Sequence, residues 1–192
     1  MTLAELSPAE RHRTIAAAFT ARVTGAQRWD APAPVAGWTA RDVVRHLIEW
    51  LPGFLASGSD VTLPPAPSVD TDPVAAWQSH QAAVQAVLDD PKTPERLLNN
   101  PHIGELPLDQ AIDRFYTTDV FMHTWDLARA TGQDETLDPG YCAILLAGME
   151  PVDEMLRASG QYGPKVPVSA DADPQTRLIA FIGRDPDWTT AS

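Results

Sequence analysis

The sequence predicts an all-α protein, a four-helix bundle with additional C-terminal helices, and three observations carry that expectation. Long stretches with apolar residues at helical spacing lie between proline- and glycine-rich marks. Helix-start chemistry recurs at the head of these stretches. Alternation of period two is nearly absent, so a sheet of any size is not expected. The chain has 192 residues, 44% of them hydrophobic, and residues 1–192 suit one domain with a sizeable core.

Ser7, Pro8 and Glu10 supply an N-cap, a first-turn proline and a first-turn acid, opening a helix over residues 8–25. Asp30-Ala31-Pro32-Ala33-Pro34 is a rigid loop. Thr39-Ala40-Arg41-Asp42 resembles a capping box with Asp in place of the usual Glu, and Val43, Leu47, Trp50 and Phe54 stripe the second helix. Residues 58–73 are irregular, rich in Pro, Ser and Asp. A third helix is expected over 72–89, and the segment 90–107, with Asn99-Asn100-Pro101-His102, reads as turn or loop. The fourth helix spans 108–130 and stops at Thr131-Gly132, where glycine caps it. A fifth covers 139–158, and a short helix over 174–183 follows Pro164 and Pro167.

Fourteen basic against 26 acidic residues give a formal net charge of −12. Such a surface repels phosphate backbones and anionic lipid, which argues against nucleic-acid and membrane partners. The single cysteine, Cys142, cannot build an internal disulfide framework, and in its apolar run it reads as a small buried hydrophobe. No cationic leader opens the chain and no apolar segment approaches a membrane span, so a cytoplasmic protein is expected.

The informative segment is the fourth helix. With each residue turning roughly 100°, Ile112, Phe115, His123 and Asp126 all fall within about 40° of Asp119. Two carboxylates and an imidazole therefore share the face of the bulky apolar residues. Burying an ionised carboxylate without compensation costs several kcal/mol. A divalent metal supplies it: Asp119 and His123 are one turn apart, and His46, beside the stripe of the second helix, is the third ligand. Two imidazoles and a carboxylate suit Zn²⁺, Ni²⁺ or Fe²⁺ and leave positions open. Asp126 is placed to ligate or to orient an imidazole from behind. The competing reading is a buried hydrogen-bonded pair with no ion. His12 is expected to be exposed, and the tryptophans Trp38, Trp50, Trp77 and Trp125 to be core or interface residues.

Trp38-Thr39-Ala40-Arg41-Asp42-Val43-Val44-Arg45-His46-Leu47 resembles the second-helix motif of the DinB/YfiT-like metal-binding bundles. Asp119-Val120-Phe121-Met122-His123-Thr124-Trp125-Asp126 resembles their ligand-bearing later helix. The similar branch is the actinobacterial one that includes the mycothiol-dependent maleylpyruvate isomerase N-terminal domain, and the likeness extends over nearly the whole chain. It implies a metal, typically zinc or nickel, held by His46, Asp119 and His123. Asp119 departs from the pattern, standing where that branch often has Glu, so it must approach the ion more closely or bind through water.

The resemblance implies a low-molecular-weight thiol such as mycothiol as cosubstrate, a small electrophile as second substrate, and a homodimer. On this resemblance the isomerase's extra C-terminal domain is expected to be missing, which argues against that particular activity. Two functional expectations follow. One is a metal-dependent thiol S-transferase or isomerase-like enzyme, with hydrolysis as a variant. The other is a non-catalytic metal or small-ligand binding protein. Arg41 and Arg45 are candidates to steer an anionic cosubstrate, or else ordinary helix-surface arginines.

Overall fold

The structure is a computed structural model that describes residues 2–190. Its helices begin where cap chemistry dictates. The Ser7 hydroxyl accepts from the Glu10 amide while the Glu10 carboxylate accepts from the Ser7 amide, opening α1 (Pro8–Gly25). Thr39 and Asp42 do the same for α2 (Ala40–Ala56), and the Asp72 carboxylate caps α3 (Pro73–Asp89). Each cap of this kind contributes about 1 kcal/mol.

The fourth rod is α4 (Leu108–Ala111), a π-helical segment (Ile112–Thr117) and α5 (Thr118–Thr131). It closes at Gly132, whose φ of +72° is open to glycine at no steric cost. α1 packs against α3 and α5, and α2 against α3 and α5, which makes the bundle. Phe19, Leu47, Leu51, Trp77, Tyr116 and Trp125 lie fully buried in its core. Burial of each such side chain stabilises by about 1.5–3 kcal/mol. α6 (Pro139–Met149), α7 (Asp153–Ala158) and α8 (Pro174–Phe181) follow, with α6 against α8. The fold is the all-α bundle with C-terminal helices that the sequence implied. Among the described residues, no helix is long and apolar enough to cross a membrane.

Four local expectations are corrected. Residues 90–107 are not all loop: β1 (Leu97–Asn100) and β2 (Gly104–Pro107) form an antiparallel hairpin, with Leu98 opposite Leu106. Only Leu98 of the pair of strands is fully buried, so the alternation was too short to register, and the Asn99 amide bonds back to the Gly58 carbonyl at 2.8 Å. The fifth helix breaks at Pro151, which lacks an amide donor, into α6, a 3-10 turn and α7. The fourth helix carries the π turn, whose i→i+5 bonding resets the angular positions of the residues before Thr118. His12 is fully buried rather than exposed.

Candidate metal centre

α2 and α5 pack side by side, and this contact brings together residues 73 positions apart. His46 Nε2 lies 3.0 Å from Asp119 Oδ2. His123 Nε2 lies 3.4 Å from Asp119 Oδ1, across one helical turn. The three ligand-type atoms all fall within 4.8 Å of one another. In a tetrahedral site with bonds near 2.0–2.1 Å, ligand atoms sit about 3.3 Å apart. The donor set and its spacing therefore fit a small divalent ion, and the shorter Asp119 side chain reaches the cluster with both oxygens.

The surroundings fix each member. The Trp50 indole N–H donates to Asp119 Oδ2 at 3.0 Å. His123 Nδ1 lies 2.8 Å from Asp126 Oδ2, a carboxylate oxygen that accepts from Nδ1–H, and this turns Nε2 toward Asp119. Asp126 has no exposure and is clasped in turn by Arg184, with Nε 3.1 Å from Oδ1 and Nη2 3.3 Å from Oδ2. Trp38 stacks on the His123 ring at a centroid distance of 5.8 Å and lies 5.0 Å from the His46 ring.

Burial by itself would raise the carboxyl of Asp119, but His123, His46 and the Trp50 donor hold it below its ordinary range. Burial likewise works against Asp126, and the bond from His123 and the charge of Arg184 hold it down. For His123, burial disfavours the cation; Asp119 and then Asp126 more than offset that, and the imidazole is raised. Tyr162 approaches from the C-terminal segment, its hydroxyl pushed up to about 12 by burial and by the charge of Asp119.

All three expected ligands and Asp126 are thus brought to one place, with Asp126 behind His123. His80 is buried away from the triad and His102 is exposed on the hairpin turn. Arg41 and Arg45 do not face an open site. Arg41 donates to the Val69 carbonyl at 3.0 Å, and Arg45 pairs with Asp70 at 2.6 Å, so they strap the irregular segment after α2 onto the bundle. Trp50 and Trp38, expected as core or interface residues, are half-buried walls of the cluster. Trp50 falls one turn after His46, a spacing that could have placed it there. Nothing local pointed to Arg184, which is 58 residues from its partner.

The molecule is therefore a helical bundle presenting two imidazoles and a carboxylate where two helices meet. The family model for the mycothiol maleylpyruvate isomerase N-terminal domain matches residues 9–128, and the chain belongs to that family. The match takes in His46, Asp119, His123 and Asp126 and ends before α6. The uncharacterized proteins MT0763 and Rv0738 of Mycobacterium tuberculosis (strains CDC 1551 / Oshkosh and ATCC 25618 / H37Rv) are each 30% identical over 184 residues. The alignments cover 93% of this chain and 98% of each relative. No solved structure matches.

Proposed function

We propose that the protein is a metal-dependent thiol S-transferase or isomerase-like enzyme, with zinc or nickel held by His46, Asp119 and His123 and a mycothiol-type thiol as cosubstrate. The observation that carries this reading is the spacing of the three ligand atoms in a cluster that is buried on one side only. The His123 side chain is 6% exposed, whereas that of His46 is 31% exposed, so a cosubstrate can reach the triad from the α2 side. Membership of the mycothiol maleylpyruvate isomerase family supports the choice of a thiol.

A divalent ion bound there supplies a Lewis acid that favours a thiolate near neutral pH. The chain's own residues do the rest. Asp126 holds the His123 ring through Nδ1 with Nε2 toward Asp119. Trp50 holds Asp119 through its indole N–H, and Trp38 and Trp50 flank the two imidazoles. Cys142 takes no part: it is buried, and burial pushes its thiol up to about 12. The second substrate is a small electrophile.

Metal content by plasma mass spectrometry, in wild type, His46→Ala and His123→Ala, tests the site. Near one equivalent in wild type, lost in both variants with circular dichroism unchanged, is the expected result and leads to a thiol-transfer screen. Absence of metal after reconstitution with zinc, nickel, iron and manganese would leave the triad as a hydrogen-bond network. Binding without turnover across thiols and electrophiles would instead favour a non-catalytic metal-binding protein. The same reading carries a cytoplasmic homodimer; the exposed apolar Ile144 and Met155 are its candidate contacts.

A further inference from the structure

Asp126 is a carboxylate with no exposure at all, and two groups neutralise it: the His123 imidazole and the Arg184 guanidinium. Arg184 is itself mostly buried, with 14% of its side chain exposed, and it spans both carboxylate oxygens. Charge-assisted contacts of this forked kind fix orientation as well as supplying energy. The carboxylate is thereby held in the one rotamer that faces His123 Nδ1.

The route by which Arg184 arrives is also fixed. It follows α8 directly through Gly183, whose φ is +86°. A Cβ there would sit 2.9 Å from the backbone of Gly163, so the turn is pressed against the loop that carries Tyr162. The Arg184 amide bonds to the Ile179 carbonyl at 3.0 Å, closing the turn, and Arg157 donates to the carbonyls of both Gly163 and Phe181. Two segments after α6 are tied to each other, and their joint product is one cation on Asp126.

We propose that Arg184 is a positioning residue for the metal centre: it acts through Asp126 on His123, so that docking of the C-terminal segment sets how tightly the triad binds its ion. This rests on the metal-site reading above and deepens it. The segment responsible lies outside residues 9–128, the part matched by the family model. Ligand geometry in this protein is therefore completed from outside the matched region.

The test uses the full chain, with Zn²⁺ and Co²⁺ affinities measured by competition with a chromophoric chelator and the Co²⁺ absorption spectrum recorded. Arg184→Met keeps most of the buried stem and removes the charge. It is expected to weaken binding of both ions about 10-fold, the low end of the loss usual when the partner of a ligating histidine is itself removed, because Arg184 acts one residue further back. The Co²⁺ bands should shift, and Arg184→Lys should restore part of the affinity. In an Asp126→Asn background the same Arg184→Met change should have little further effect, since the two groups act as one unit. A general loss of packing would instead add to the Asp126→Asn effect. Arg184→Met within twofold of wild type, with the same Co²⁺ spectrum, would overturn the proposal while leaving the triad standing. Wild type that binds neither ion would overturn the metal site itself, and this proposal with it. Should Arg184→Met fail to fold, Arg184→Gln and the Asp126→Asn pair decide in its place.

Discussion

Around His123 every charged neighbour has a partner: Asp119 faces two imidazoles and an indole, and Asp126 sits between His123 and Arg184. Around His12 and His80, on α1 and α3, the situation is reversed. His12 Nδ1 meets the Thr117 hydroxyl at 3.0 Å, but His12 Nε2, His80 Nε2 and the Tyr116 hydroxyl are buried with no hydrogen-bond partner among the described residues. Both rings pack within 6 Å of the Tyr116 ring, at 5.8 and 5.7 Å. One bundle thus buries imidazoles in two ways. In the first, nearby carboxylates raise the ring and hold it as an ion or a ligand. In the second, burial pushes each ring down to about 4, for His12 with help from the charge of its neighbour His80, so both are neutral near pH 7. The lesson is that burial alone does not mark an imidazole as functional; the sign of its neighbours does.

The widest gap between the two groups should appear in stability. Asp126→Ala removes a buried carboxylate and strands both Arg184 and His123, and such a change costs about 3–5 kcal/mol. His12→Leu removes a ring with only one partnered nitrogen and leaves the buried Thr117 hydroxyl without that bond, a smaller loss of about 1–3 kcal/mol. Urea unfolding of the two variants beside wild type measures both. A His12→Leu loss as large as that of Asp126→Ala would mean that the α1–α3 group is as tightly partnered as the other, and would break the contrast.

Acid should separate them next. In the unfolded chain His12 and His80 take up protons near 6.5, whereas in the folded state they do so only near 4. The unfolded state therefore binds more protons in that window, and stability falls as pH drops from 6.5 toward 4, then levels off for these groups. Each contributes on the order of 3 kcal/mol of that loss. His123 has the opposite sign. Its raised folded value means that its contribution is fully present below the ordinary imidazole range and lost as pH rises through the folded value. Unfolding free energies from pH 7 to 4, for wild type and a His12→Leu, His80→Leu double variant, check the sign. The double variant should lose much less in that interval, and an unchanged slope would refute the assignment.

The legibility of the sequence divides along the same line. Ser7, Thr39 and Gly132 act within one turn of chain, and each start or stop they imply is where the structure has it. Asp119 and His123 were legible because i,i+4 spacing is a local fact, and His46 because it borders an apolar stripe. The π turn was not, since nothing in the composition of residues 112–117 distinguishes an i→i+5 bond from an i→i+4 bond. Its effect is visible at Tyr116, which is fully buried, and at Phe115, which is only half-buried although the regular helix put it nearer the core face. His12 failed for a different reason. On α1 it is flanked by Arg11 and Arg13, and a polar neighbourhood in sequence hid a position that packs against the fourth rod. Arg184 lay beyond any local rule, because its partner is defined only once α8 has docked.

The smallest expected effect is the sharpest probe of the unpartnered group. Tyr116 is fully buried, its hydroxyl has no hydrogen-bond partner among the described residues, and burial followed by the charge of Asp119 raises its ionisation well above the ordinary tyrosine range. The phenol therefore stays neutral, and among the described residues no partner offsets the desolvation of its hydroxyl. Tyr116→Phe keeps the ring and its packing against His12, His80 and Trp50 while deleting only that oxygen. The variant should unfold at the same or a slightly higher urea concentration, with a free-energy change of less than about 1 kcal/mol in the stabilising direction. The same substitution at a partnered buried hydroxyl destabilises. A loss of about 2 kcal/mol or more in Tyr116→Phe would show that the hydroxyl is held after all, and would move Tyr116 from the unpartnered group to the partnered one.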